Sequence, residues 1–329
     1  MILKKSLRSF IFIFVIILFF TIKTFVNNSI DDEYTSVSDI SFNTDSDLLS
    51  VNDLNISLEN TVISKDNNLN ASMFDNCLYA LLVDDTDNIV YVSKDVHKRM
   101  YPASMTKLMT ASIICDKIEE GSLHFEDIVT INKHYDLTQE GVGPCELGIG
   151  SEITVKDLLY ALMIQSNNYY ALILAEHVGG SVEQFCDLMN EKAAQIGASN
   201  THFTNPHGLD DPNHYTTAYD MYLIMKEAKS HEILNEIDGL ESYTYEYLNS
   251  ERNPVEATVV PTNLFLSGKI SLPAKYEIKL WKTGTTDGAG YCLVMYLTRD
   301  DKEYIAVCSN ADVRNDMYNS FVQMLCLVK

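Results

Sequence analysis

The chain has 329 residues, 46% of them hydrophobic, and a formal net charge of −22 at pH 7. That apolar content is ordinary for a protein that buries a core. A charge so negative excludes nucleic acid and other polyanions as partners, because like charges repel. Part of the acidity lies in the N-terminal segment, so it says less about any active site.

Lys4, Lys5 and Arg8 precede an apolar run from Phe10 to Phe20, which continues weakly from Ile22 to Val26 past Lys23. Basic residues followed by an apolar stretch direct export, with the basic end left inside. The run is short for a spanning helix, which needs about 20 apolar residues. Thr24-Phe25-Val26-Asn27-Asn28-Ser29 has no small-x-small cleavage pattern, and no Cys follows closely enough for lipid attachment. Residues 1–26 are read as an uncleaved signal anchor with Lys23 snorkelling to the interface. Secretion after signal cleavage is the alternative. Residues 27–73, rich in Asp, Asn and Ser and without periodicity, read as a flexible acidic linker. The remainder, 74–329, is long enough for one large domain or two intimate lobes.

Order is expected from near Cys77. Leu78 to Val83 reads as a buried strand, Asp84 to Asn88 as a turn, and Ile89 to Val92 as the returning strand. A helix is expected from Ser104 to about Glu120, with Leu108, Met109, Ser112 and Ile113 at core-facing spacing. Further helices are expected at 155–165, 168–178, 181–196 and 216–229. Strands follow at 278–282, 290–298 and 303–309, then a closing helix from Asp312 to Leu327. Strands at both ends with helices between them predict an α+β domain. The terminal hairpin, late strands and last helix form one sheet layer, and the middle helices a second lobe.

Three constellations carry chemistry. In Pro102-Ala103-Ser104-Met105-Thr106-Lys107, a Ser and a Lys three apart on a helix share a face. A serine hydroxyl is a poor nucleophile until a base takes its proton, and a lysine is that base only if its pKa falls. Taken alone, Ser104 as a helix N-cap with a solvated Lys107 is the plainer reading. Ser166-Asn167-Asn168 lies in a break between two apolar helical stretches, where a hydroxyl can relay a proton and an amide can orient a lysine. Alone it reads as a polar loop. Lys282-Thr283-Gly284-Thr285 ends a strand, placing an ammonium and a hydroxyl on one side of a cleft, with Gly284 leaving room for a substrate backbone. Alone it reads as a surface strand and turn. Their combination in this order decides: S-x-x-K, S-x-N and K-T-G are the trio of penicillin-binding proteins and class A β-lactamases, where the middle form is S-D-N.

The chain resembles the D-alanyl-D-alanine carboxypeptidase family of serine peptidases, the low-molecular-mass penicillin-binding proteins. Arg99-Met100-Tyr101-Pro102-Ala103-Ser104, Asn205-Pro206-His207-Gly208-Leu209 and Ala289-Gly290-Tyr291-Cys292-Leu293 resemble further segments of that family. The similarity runs from about Cys77 to Ser309. It implies a DD-peptidase/β-lactamase-like fold, an antiparallel sheet flanked by helices plus a mostly helical lobe. Family members usually carry Gly where this chain has Asn167, which is expected to alter cleft shape more than catalysis. Many members also carry a β-rich C-terminal domain and a C-terminal anchor; here the anchor is expected at the N-terminus.

By this resemblance Ser104 is the nucleophile, Lys107 its base, Ser166 a proton relay, and Asn168 a holder of Lys107 and of the substrate amide. Lys282, Thr283, Gly284 and Thr285 bind the substrate. The backbone N–H groups of Ser104 and Thr285 form the oxyanion site. The implied substrate is a peptidoglycan stem peptide ending in D-Ala-D-Ala, with β-lactams as covalent inhibitors and the membrane as partner through the N-terminus. No metal or organic cofactor is expected, and the eight His show no zinc-like spacing. A class A-like β-lactamase or a non-catalytic penicillin-binding module is the alternative. The seven Cys are odd in number and scattered, and are expected to be mostly buried small hydrophobes.

Overall fold

Tyr291 to Leu297 is an unbroken run of apolar and aromatic residues, and such runs form strands covered on both faces. In the structure, a computed structural model that describes residues 69–237 and 239–328, this run is the middle of β8 (Gly290–Arg299). β8 lies in a five-stranded antiparallel sheet of order β2-β1-β9-β8-β7. The others are β1 (Tyr79–Asp84), β2 (Ile89–Lys94), β7 (Glu277–Thr286) and β9 (Lys302–Ala311). The turn between β1 and β2 is fixed by Asp84, whose Oδ1 accepts from the backbone N–H of Thr86 and Asp87.

Strand alternation divides the core in two. Leu81 and Val83 face one side with Val294, Ile305 and Val307. Ala80 and Leu82 face the other with Trp281, Leu293, Met295 and Ala306. The first side is covered by α1 (Lys107–Glu119) and α5 (Ala218–Ala228), the second by α7 (Arg314–Cys326) through Met317, Tyr318, Phe321 and Met324. Every residue of α1 from Lys107 to Cys115 is buried, so this helix runs through the core rather than over it. The second lobe contains α2 (Val155–Gln165), α3 (Asn168–Gly179), α4 (Val182–Gln195) and α6 (Glu232–Ile237). Side-chain caps start three of these helices: Thr154 for α2, Asn167 for α3 and Ser181 for α4.

The α+β expectation and the principal helices agree with the structure. It also holds a four-stranded sheet that was not expected, of order β3-β4-β5-β6. Its strands are β3 (Ile128–Thr130), β4 (Glu152–Thr154), β5 (Tyr243–Leu248) and β6 (Pro254–Val259). Residues 69–73, assigned to the linker, lie against β2: Leu69 N–H donates to Ser93 Oγ at 3.1 Å, and Asn70 Nδ2 to Tyr91 O at 2.8 Å. The expectation for the cysteines is corrected at two positions. Cys77 and Cys308 form a disulfide, tying the chain ahead of β1 to β9. Of the free cysteines, Cys115, Cys186 and Cys292 are buried, while Cys326 is exposed. The anchor at 1–26 and nearly all of the linker lie outside the described residues. Among those described, no helix is long and apolar enough to cross a membrane.

Candidate active site

The chain enters α1 through a short 3-10 turn, Ala103–Thr106. Ala103 is left-handed there, with φ 47°, a conformation that costs an L-residue about 1–2 kcal/mol. The turn leaves Ser104 partly exposed while Pro102, Ala103, Met105 and Thr106 are buried. No side-chain cap bond forms at the start of this turn or of α1, so the N-cap reading of Ser104 fails.

Lys107, one helical turn on, is 0% exposed. Its Nζ lies 2.9 Å from Ser104 Oγ, 2.6 Å from Asn168 Oδ1 and 2.7 Å from the His207 carbonyl oxygen. None of the three is charged. Burial, and then the positive charge of Lys282, hold the Lys107 amine well below the ordinary lysine value. A neutral amine has two N–H donors and one lone pair. Asn168 Oδ1 and the His207 carbonyl only accept, so they take both donors. In that neutral form the lone pair is left facing Ser104 Oγ, able to accept its O–H. This is the arrangement a general base requires.

Asn168 reaches Lys107 because of a tight junction between two helices. Ser166 ends α2 in the left-handed region, φ 65°. Asn167 then caps α3, its Oδ1 accepting from the backbone N–H of Tyr169 and Tyr170, and Asn168 is the first residue of α3. The residue that departs from the family pattern therefore has a local structural task. Ser166 Oγ is buried and has no hydrogen-bond partner among the described residues.

The turn Asn205–Leu209 supplies the third partner of Lys107. Asn205 Oδ1 accepts from the N–H of His207 and Gly208, and its Nδ2 donates to Leu209 O. Thr110 of α1 donates to Pro206 O at 2.7 Å. Gly208 has φ +92°, and a Cβ there would sit 1.8 Å from Ala103 O, so only glycine lets this turn lie against the nucleophile loop. Burial holds the His207 imidazole well below its ordinary value. His214 is held near 4 mainly by burial. Its Nδ1 accepts from Thr204 N–H, which puts the ring hydrogen on Nε2, 2.9 Å from Thr106 Oγ1.

Across from these groups runs β7, the edge strand of the sheet. Lys282 is 0% exposed, and its charge reaches Lys107. Thr283 Oγ1 is 2.6 Å from Thr262 Oγ1, and Thr285 Oγ1 donates to Gly284 O at 2.7 Å. The purpose assigned to Gly284 needs correction. A Cβ there would meet Ala103 Cβ at 2.9 Å and Ser104 N at 3.1 Å, so the missing side chain makes room for the nucleophile loop. Asp210 braces the facing hairpin, accepting from Thr286 Oγ1 at 2.6 Å and Gly288 N–H at 2.8 Å.

The sequence reading missed Arg314. Its Nη2 donates to the backbone O of Thr262 at 2.8 Å, the residue whose hydroxyl meets Thr283 Oγ1. One signal pointed to it. Arg314 is the first residue of α7, and the helix dipole disfavours a cation at that end.

Residues 75–313 match the family described as D-alanyl-D-alanine carboxypeptidase. The D-alanyl-D-alanine carboxypeptidase DacF of Bacillus subtilis is 33% identical over 247 residues, covering 75% of this chain and 60% of that protein. DacC of Escherichia coli is 32% identical over 252 residues, covering 74% and 59%. The chain thus spans about 60% of the length of these curated relatives. The crystal structure of the D-alanyl-D-alanine carboxypeptidase DacD from Francisella tularensis shares the fold, with a TM-score of 0.66 at 21% identity over 85% of this chain and 75% of that one. The chain belongs to the D-alanyl-D-alanine carboxypeptidase family.

Proposed function

We propose that the protein is a serine D-Ala-D-Ala carboxypeptidase that removes the terminal D-Ala from peptidoglycan stem peptides through an acyl-enzyme. The observation that carries this reading is the buried Lys107 amine, bonded to two acceptors and to Ser104 Oγ. Ser104 Oγ attacks the carbonyl between the two D-Ala residues while Lys107 takes its proton. The oxyanion sits between the backbone N–H groups of Ser104 and Thr285. The latter belongs to an edge strand, where alternate N–H groups face away from the sheet. Ser166, with an uncommitted hydroxyl, passes the proton to the leaving amine, and Asn168 holds both Lys107 and the substrate amide. Lys282, Thr283 and Thr285 bind the terminal carboxylate, with Arg314, bonded to Thr262 O, adding charge. Water then releases the shortened peptide, and β-lactams trap the same serine.

Incubation with a diacetyl-L-Lys-D-Ala-D-Ala tripeptide tests this directly: stoichiometric free D-Ala is expected, and none appearing contradicts it. From the basic residues and apolar run at the N-terminus we further propose that the catalytic unit acts outside the cytoplasm on a single N-terminal anchor. A reporter fused after Ser29 is then exported and the N-terminus is retained; a mature N-terminus near Asn27 overturns the anchor.

A further inference from the structure

Far from Ser104, the last turn of α1 carries Asp116 and Glu119, the end of α5 carries Glu227, and His231 lies just ahead of α6. One donor atom from each of Asp116, Glu119 and His231 lies within 4.8 Å of the other two. His231 is 3% exposed. Its Nδ1 is 2.8 Å from Glu119 Oε1, a carboxylate oxygen that only accepts, so Nδ1 carries the ring hydrogen. In the neutral ring Nε2 then presents a lone pair. That nitrogen is buried and has no hydrogen-bond partner among the described residues. Asp116 Oδ1 lies 3.8 Å away and Glu227 Oε1 3.9 Å away.

His231 Nε2 thus faces two carboxylate oxygens, each beyond hydrogen-bond reach of it. Two donors bound to one ion at about 2.1 Å are separated by at most about 4.2 Å, so an ion fits between them after slight closure. The surroundings favour a cation as well. The C-terminal ends of α1 and α5 carry partial negative charge, and acidic side chains are disfavoured at such ends. Three carboxylates are nevertheless grouped there, and two of them share one ammonium, Lys192 from the end of α4, which contacts Asp116 Oδ2 at 3.0 Å and Glu227 Oε1. The cluster joins two sequence pairs, Asp116 with Glu119 three residues on and Glu227 with His231 four residues on, and only the fold brings the two pairs together.

We propose that this cluster is a site for a divalent transition-metal ion of mixed nitrogen and oxygen preference. The ligands are His231 Nε2, Asp116 Oδ1 and Glu227 Oε1, with Glu119 orienting the imidazole through Nδ1–H. A carboxylate on the far nitrogen of a metal-binding histidine is the usual arrangement for fixing its tautomer. The ion clamps the C-terminal end of α1, whose other end carries Ser104 and Lys107, to α5 and to the segment before α6. Lys192 is its competitor and swings to solvent when the ion binds.

Titration of the metal-free full chain with Zn²⁺ alone, followed by calorimetry and thermal melting near neutral pH, tests the site. One ion per chain and a raised Tm are expected. His231→Gln removes a direct ligand and is expected to abolish this binding. Glu119→Ala weakens it about 10- to 100-fold, and Lys192→Met tightens it by removing the competing charge. If His231→Gln does not fold, Asp116→Asn serves in its place with the same expected loss. Absence of saturable binding overturns the proposal. So does equal affinity in the ligand variants, or weaker binding in Lys192→Met.

Discussion

Lys107 Nζ lies 2.9 Å from Ser104 Oγ, and every group it bonds to is uncharged. A buried ammonium with no counter-ion is unfavourable, so burial first and Lys282 second drive this lysine toward the neutral form. Activity is predicted to fall as pH drops through the Lys107 pKa, because the protonated amine cannot accept from Ser104. Lys282→Ala removes one of the two causes. The Lys107 pKa then rises and the acidic limb of kcat/KM moves to higher pH. Lost carboxylate pairing adds a reduction of about 10- to 100-fold at the optimum. Turnover within twofold of wild type, with an unmoved acidic limb, would show that Lys282 has neither role.

Arg314 is predicted to act on the substrate carboxylate alone. Arg314→Leu is expected to lower kcat/KM for a free-acid peptide by about 10-fold or more, a charge-assisted contact being worth about 1.5–3 kcal/mol. The acidic limb is expected to stay in place, unlike that of Lys282→Ala. An unchanged KM and kcat would remove Arg314 from the site.

Gly208→Ala places a Cβ 1.8 Å from Ala103 O, and Gly284→Ala places one 2.9 Å from Ala103 Cβ. The first contact is with backbone and needs a φ of +92°, so Gly208→Ala is predicted to lower Tm and abolish turnover together. The second demands a smaller shift. Gly284→Ala is predicted to stay folded while losing activity on the order of 100-fold, the scale of a misplacement near 1 Å. Circular dichroism and kinetics on both variants separate the cases.

Stability in acid is predicted to depend on His214. Its folded pKa, about 4, is depressed below the ordinary 6.5, first by burial. The unfolded chain therefore binds a proton that the folded one refuses. The contribution is fully present above about pH 6.5 and is lost as pH falls toward 4, amounting to about 3 kcal/mol. Urea unfolding at a series of pH values is expected to show this slope in the wild type and a shallower one in His214→Gln. Parallel curves would rule out His214 as the cause.

The fold and the site were legible where side chains carry the signal. Ser104, Lys107, Asn168 and Lys282 each bring chemistry that another residue type does not supply, and the α+β order follows from runs such as Tyr291–Leu297. His207 contributes its backbone carbonyl to Lys107, and a carbonyl leaves no mark in a sequence. β3 and β4 have three residues each, too few to show a period. β5 was readable, since Tyr243, Tyr245 and Tyr247 alternate with Thr244 and Glu246, a plain period of two. The Cys77–Cys308 pair spans 231 residues, and spacing alone does not select one pairing among seven cysteines.

The central claim is that Ser104 is the nucleophile and Lys107 its base. Peptide mapping of the protein after brief exposure to benzylpenicillin measures it most directly. The prediction is one covalent adduct, on the peptide containing Ser104, absent from Ser104→Ala and strongly slowed in Lys107→Met. An adduct on any other residue, or D-Ala release that survives Ser104→Ala, would contradict it.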